Sequence, residues 1–406
     1  MKYLIFLLGF LILLYSQAIC DYWDTGDTTI INSLPYNIPA GNHLYALVSH
    51  KITSATYGIN ANGKSNWTLV NRTSGVKDTI IAKQYGLHAG NGVFIKLHNI
   101  VGMNFDRSIL GDSASVLDSS CGTGGNRGWI RCDQGGNIWL DSCNITTTKT
   151  INRPVYFYGK GGFRIWGGNY SFNWNIADRR DQLDGGCIVI DLVGNDTVNY
   201  PISVSIRSVN FLSAPHVPLS IIGTHWGKWE VKKCDILVDG WNIYRSYYYG
   251  ISSILTNGDC FGFNIGVAGH GSICDSNYIH SGTQHEGGQG IIIQRCKGIA
   301  SDPVCFRQNI VDVSQGPTSQ SPVGRGRVIY FRFIPSGGSA DIGNEYVIAE
   351  YNHFIGRFDT DTSTTYRGRE MYGLIGYWSG DEGDYQVRIW HNEWKNNHFK
   401  LSLLEL

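Results

Sequence analysis

One short pattern recurs along this chain and limits what it can fold into. An apolar residue, three variable positions and an Asn or Asp are followed by a second apolar residue. It stands at Ile100 to Phe105, Leu140 to Ile145, Ile165 to Tyr170, Ile206 to Phe211, Val231 to Ile236, Ile273 to Tyr278 and Cys305 to Ile310, with a looser copy at Ile389 to Trp394. From Asn104 through Asn144, Asn169, Asn210, Asp235 and Asn277 to Asn309, successive positions lie 40, 25, 41, 25, 42 and 32 residues apart. Such intervals are one or two turns of a coil of roughly 20 to 25 residues, which predicts a solenoid that adds its core layer by layer.

The residues before each Asn have strand period, as in Ile138 and Leu140, Val204 and Ile206, and Trp229 and Val231, so short strands flank a sharp corner at the Asn. Asn and Asp tolerate left-handed backbone geometry, and stacked Asn side chains can bond one another along the axis. A loose pattern in an Asn-rich chain would also produce copies by accident. Against that, Cys121 to Cys143 and Cys274 to Cys296 are both 22 residues apart, which makes these pairs the candidate disulfides. Parallel strands joined by crossovers take a right-handed path almost without exception.

Lys2, the apolar run Leu4 to Tyr15 and the small-residue site Ser16-Gln17-Ala18 read as a cleaved signal peptide. The run is short for a membrane span, which needs about 20 residues, so no transmembrane segment is expected. Export permits disulfides among the ten cysteines. Lys+Arg and Asp+Glu are both 33, which removes any overall attraction to nucleic acid. The chain has 51 glycines and 13% aromatic but only 16% charged residues, which suits a turn-rich all-β protein. Five N-x-S/T sequons, at Asn66, Asn71, Asn144, Asn169 and Asn195, are about what chance gives in so Asn-rich a chain. The expected organisation is a signal peptide over 1–18, an N-terminal cap and first coils over 19–85, a parallel β-helix over 86–358, and a final coil, long loops and cap over 359–406.

The corner repeats, in an exported Gly- and Asn-rich chain, resemble the right-handed parallel β-helix proteins, whose members include pectate lyases, polygalacturonases and related polysaccharide lyases. The resemblance covers about residues 85 to 350 and implies an all-β fold, a single right-handed parallel β-helix solenoid, acting on polysaccharide outside the cell. The stretch with Asp259-Cys260, Gly269-His270-Gly271-Ser272-Ile273, His280, His285-Glu286 and Arg295 resembles the polygalacturonase pattern in part. It departs from it in having one Asp where that family has a pair, half the expected interval from Asp259 to His270, and no Arg-x-Lys. Inverting hydrolysis needs two carboxyl groups, one as acid and one as base.

Eliminative cleavage asks for less: a base for the proton α to a uronate carboxylate, and a cation to neutralise that carboxylate. His270, His285 and Arg295 supply base and cation on this reading, with Asp259 and Glu286 as ligands for sugar or for Ca²⁺. The alternative is that Gly-His-Gly is a tight corner with a solvated His. Arg179 and Arg180, in Asp178 to Asp184, form either an Arg clamp on an acidic sugar or a self-paired solvated face. Trp241 and Tyr247, Tyr248 and Tyr249 offer either rings for sugar stacking or ordinary core stacks. Asp21, Asp24 and Asp27 and the acidic loops after Asp359 and Ser379 lack EF-hand spacing.

Two functions remain open on these residues. One is a secreted polysaccharide-active enzyme, a lyase acting on uronate-containing glycan rather than a hydrolase. The other is a non-catalytic adhesin that binds glycan, or a structural subunit that self-associates through its uncapped sheet ends.

Overall fold

The computed structural model describes residues 28–39, 43–47, 51–54, 57–62, 67–70, 77–82, 86–90, 94–98, 100–104, 128–133, 137–148, 153–159, 162–173, 188–192, 204–213, 219–223, 227–238, 261–265, 268–281, 289–293, 296–312, 329–333, 343–358, 375–379, 388–390 and 393–403. The signal-peptide segment and the 1–18 boundary lie outside them. Among the described residues the chain is all-β, and no helix is long and apolar enough to cross a membrane.

The strands form three long sheets and one short one. The first sheet has 12 strands, running from Thr28–Ile31 to Glu393–Lys395; the second and third have 11 each, ending at His398–Leu403 and Ile375–Ser379. Every ladder between these strands is parallel. From Tyr36 onward the chain visits the third, first and second sheets in rotation, and each strand pairs with its counterpart one circuit later. A four-stranded sheet, Ala268–Gly269, Cys296–Lys297, Gly343–Glu345 and Arg388–Trp390, enters between the third and first sheets in the last circuits.

Strand alternation builds the core. In Phe163–Trp166, Val204–Arg207, Val304–Arg307 and Val347–Glu350, buried residues alternate with partly exposed ones, because successive side chains of a strand point to opposite faces. The inward residues stack from circuit to circuit: Leu140 pairs with Ile165, Ile165 with Ile206, Ile206 with Val231, Val231 with Cys274 and Cys274 with Phe306. Fully burying each large apolar side chain contributes about 1.5–3 kcal/mol. These partners are 25, 41, 25, 43 and 32 residues apart. Intervals near 40 are therefore single circuits lengthened in their connections, and not the two turns that the spacing suggested.

The corner also differs from expectation in where it turns. The left-handed residue is the one directly after each first-sheet strand from Asn137–Asp141 onward: Ser142, Gly167, Ser208, Lys233, Ser276, Gln308, Tyr351 and Asn396, with φ between 51° and 67°. Backbone bonds carry the ladder through this position, as in Ser142 N–H to Trp166 O at 2.7 Å and Ser208 N–H to Lys232 O at 2.9 Å. The Asn follows by one or two residues, and its position has two phases. Asn144, Asn169, Asn210 and Asp235 are aligned and face outward, the third aligned to both neighbours in register; Asn169 N–H donates to Asn144 Oδ1 at 3.0 Å, and Asn210 Nδ2 to Asn169 Oδ1 at 2.9 Å. Asn277, Asn309, Asn352 and Asn397 sit one residue earlier, at the level of Cys234, because Asp235 pairs with Tyr278.

This inner set forms a ladder. Asn309 Oδ1 accepts from Asn277 Nδ2 at 2.9 Å and from its backbone N–H at 3.1 Å, and Asn397 Oδ1 accepts from Asn352 in the same way. Each amide nitrogen also donates to a backbone carbonyl of the first sheet: Asn277 to Val231, Asn309 to Cys274, Asn352 to Phe306 and Asn397 to Ala349. The expected stacking of Asn side chains is thus realised, on the inner face. The copies at Asn104 and Glu393 are not corners: Asn104 pairs with Ala82 at the end of a second-sheet strand, and Glu393 opens a first-sheet strand.

The Cys274–Cys296 pairing does not form. Cys274 is a free, buried thiol in the first sheet, stacked between Val231 and Phe306, whereas Cys296 stacks on Ala268 in the fourth sheet. The local circuit is 32 residues, so a 22-residue interval falls short of a common azimuth. Cys143 is buried, with its thiol donating to the Leu97 and Asp141 carbonyls; its proposed partner Cys121 lies outside the described residues.

Candidate functional site

The Gly-His-Gly segment turns the chain from the fourth sheet into the first. Gly269 N–H bonds Gly227 O of the preceding circuit at 2.8 Å, and Ser272 N–H closes the turn on Gly269 O at 3.2 Å. Gly271 has φ of 69°, and a Cβ there would lie 2.5 Å from both the Asp302 Oδ2 and the Lys228 Nζ. The positive φ favours glycine, and a Cβ would push the ends of the Lys228 and Asp302 side chains aside. Buried Ser272 fixes the turn, accepting from Trp229 N–H at 3.2 Å and donating to Gly227 O at 3.4 Å.

Three successive circuits converge here. Lys228 precedes the first-sheet strand Trp229–Lys232, His270 belongs to the next circuit, and Asp302 to the one after. His270 Nδ1 lies 2.8 Å from Asp302 Oδ2, and Lys228 Nζ lies 3.7 Å from the same oxygen. Gly271 N–H donates to Asp302 O at 3.0 Å, and Asp302 is fixed in its own turn by reciprocal bonds with Ile299. A carboxylate only accepts, so Nδ1 carries a proton, and in the neutral ring the lone pair is on Nε2. Side-chain exposures of 30%, 40% and 31% for His270, Asp302 and Lys228 leave the group open to solvent. The arrangement offers an oriented base beside a cation.

Of the residues singled out in the sequence, His270 is described. Asp259, His285, Glu286, Arg295, Trp241, Tyr247, Tyr248, Tyr249, Arg179 and Arg180 lie outside the described residues. His280 is on the second sheet, where its Nε2 meets Asp235 Oδ1 at 2.8 Å and its ring stacks on Tyr278 at 4.4 Å. Burial, with Asp312 and Asp235 nearby, pushes the Tyr278 hydroxyl above its ordinary value. Asp302 and Lys228 were missed, although a circuit length would have found the first: the 32 residues from Cys274 to Phe306 also separate His270 from Asp302.

A second feature lies on the outer face of the first sheet. In register, Trp139, Arg164, Ser205 and Glu230 form one outward column, and Asp141, Trp166, Arg207 and Lys232 the next. Arg164 Cζ lies 3.1 Å above the Trp166 ring and 4.8 Å from Trp139; Arg207 Cζ is 4.9 Å from Trp166. Trp166 Nε1 donates to Ser205 Oγ at 3.0 Å. Glu230 is buried beneath this layer, held by Ser205 Oγ at 2.6 Å, Arg207 Nη2 at 2.5 Å and Lys232 Nζ at 2.9 Å. Desolvation opposes its charge, but the hydrogen bonds from Ser205, Lys232 and Arg207 outweigh it and hold the carboxyl below its ordinary pKa.

Among the described residues no group of three His, Cys, Asp or Glu gathers to hold a metal ion. Compared with protein-family models, curated proteins and solved structures, the chain matches none.

Proposed function

We propose that the chain is a secreted right-handed parallel β-helix that cleaves uronate-containing polysaccharide by elimination at the His270 corner. The observation that carries this reading is the His270–Asp302 contact with Lys228 beside it. His270 Nε2 removes the proton α to the uronate carboxylate, and Asp302 holds the tautomer and offsets the charge of the imidazolium that forms. Lys228 neutralises the substrate carboxylate as the carbanion develops. The carbon–oxygen bond at the β position then breaks, a carbon–carbon double bond forms, and the leaving oxygen takes a proton from solvent. A right-handed path accords with parallel strands joined by crossovers.

The test is the ultraviolet absorbance of the unsaturated product when the mature protein meets a panel of uronate polymers, with and without Ca²⁺. Product should appear, and His270→Gln and Asp302→Asn should each lower kcat at least a hundredfold. A flat trace over the whole panel would sink the reading.

A second reading, a glycan-binding surface protein without catalysis, is favoured by the Trp139, Arg164, Trp166 and Arg207 layer, which needs no reacting group. It would show as binding with neither unsaturated product nor new reducing ends.

A further inference from the structure

We infer that the C-terminal end of the solenoid, where Glu393–Lys395 and His398–Leu403 are the last strands of their sheets, is the interface of a homodimer in which two copies meet end to end about a two-fold axis. The inference does not rest on the elimination reading. It narrows self-association through open sheet ends to one end and one closed form.

Three observations meet at this end. The first is two series of hydrogen bonds that stop. The corner N–H of each circuit donates to a carbonyl of the next: Lys233 to Asp275, Ser276 to Arg307, Gln308 to Glu350 and Tyr351 to Lys395, each at 3.1 Å. Asn277, Asn309 and Asn352 likewise give their backbone N–H to the next Asn Oδ1. Asn396 and Asn397 stand in these two places one circuit later, and among the described residues nothing accepts from their backbone N–H groups. A sheet edge with such donors is a template for another strand.

The second is an uncovered core. Phe399 is in register with Phe354 and the rings lie 5.2 Å apart, yet Phe354 is fully buried and Phe399 is 39% exposed. The other end is sealed: in the opening circuit Ile31, Ile38 and Ile52 are buried, and Leu34 packs against the core. One open end lets a pair form and stop, whereas a fibre needs both ends open.

The third is charge. On the outer face of the first sheet, Lys232, Asp275, Arg307, Glu350 and Lys395 are in register and alternate in sign. The next position along the axis calls for an acid. When Glu393–Lys395 pairs antiparallel with its own copy about its middle residue, Lys395 meets Glu393 of the second copy, and Glu393 meets Lys395 of the second copy. The strand is thus complementary to itself, which is what a two-fold interface requires. Within one chain the same two side chains contact each other along the strand, both about half exposed; such a pair contributes little, so an exchange of partners costs little.

The mature protein is followed by sedimentation velocity over a wide range of concentration, at low and at high salt. Monomer and dimer alone should appear, with the dimer weaker at high salt. Lys395→Glu and Glu393→Lys each set like charges against one another and should each raise the dimer Kd at least tenfold, with an unchanged circular dichroism spectrum. Mixed in equal amounts, the two variants are complementary again and should form the mixed dimer. Phe399→Ser should weaken the dimer and leave its salt dependence in place; the charge variants serve if this one fails to fold. A native protein that stays monomeric at every concentration overturns the inference and means that another segment of chain covers this end. Species larger than the dimer overturn it too, as does a mixture of the two charge variants that associates no better than either alone.

Discussion

Asn352 Oδ1 accepts two hydrogen bonds from one residue, the backbone N–H of Asn309 at 3.0 Å and its Nδ2 at 2.9 Å. The second hydrogen of that Nδ2 goes to Cys274 O at 3.1 Å, so a buried amide at a corner is satisfied entirely by the circuits on either side. Buried polar groups persist where such satisfaction is complete.

Asn309→Ala removes an acceptor from Asn277 and a donor from both Asn352 and Cys274. Each buried group left unsatisfied costs about 1–3 kcal/mol, so denaturant unfolding should show a loss of at least about 2 kcal/mol. Asn397→Ala, at the less buried end of the ladder, should cost less. Equal losses at the two sites would contradict the ladder as the source of the stability.

Gly168→Ala tests the corner sterically. Gly168 has φ of 91°, and an added Cβ would lie 1.8 Å from the Cys143 carbonyl oxygen. Backbone must move, and a loss of about 3 kcal/mol or more is expected in the thermal or denaturant midpoint. Gly167→Ala, whose Cβ would meet nothing closer than 3.5 Å, should be milder.

Glu230 sets an acid limb of stability. Its folded pKa is below the ordinary carboxylate value, so it binds a proton less readily folded than unfolded. The stabilisation is therefore complete above the unfolded pKa and is lost as pH falls through the folded one. Urea unfolding followed from neutral to acid pH should show this loss, and Glu230→Gln should flatten that part of the profile while lowering stability at neutral pH.

The buried thiols should be inert. Burial pushes Cys234 up to about 12 and Cys274 higher still. A thiolate-directed reagent should label neither in the native protein at neutral pH and both after unfolding. Peptide mapping without reduction should find no Cys274–Cys296 bridge.

The parallel, layered fold was legible because its inward residues repeat at strand period before each corner, as at Ile138 and Leu140. The circuit length was not, because a connection of any length leaves the same strands paired, and 41 residues between Ile165 and Ile206 read as two turns. The two phases of the Asn were merged because Ile273 and Cys305 are apolar at outward positions, which let the pattern start one residue early. At the site, Gly-His-Gly was visible as a motif. Asp302 and Lys228 were not, since they come from other circuits and only the register joins them to His270.

The corners bring a further consequence through their left-handed residues. Ser142, Ser208, Lys233, Ser276, Gln308 and Tyr351 share almost one backbone conformation while spanning a small hydroxyl, a cation, an amide and a phenol. The turn accepts each of these side chains, and those from Ser208 to Tyr351 are exposed, so the row of corner side chains is a strip of surface that can be rewritten letter by letter. A designer could display a chosen sequence there, one residue per circuit, on a backbone that already accepts serine, lysine, glutamine and tyrosine.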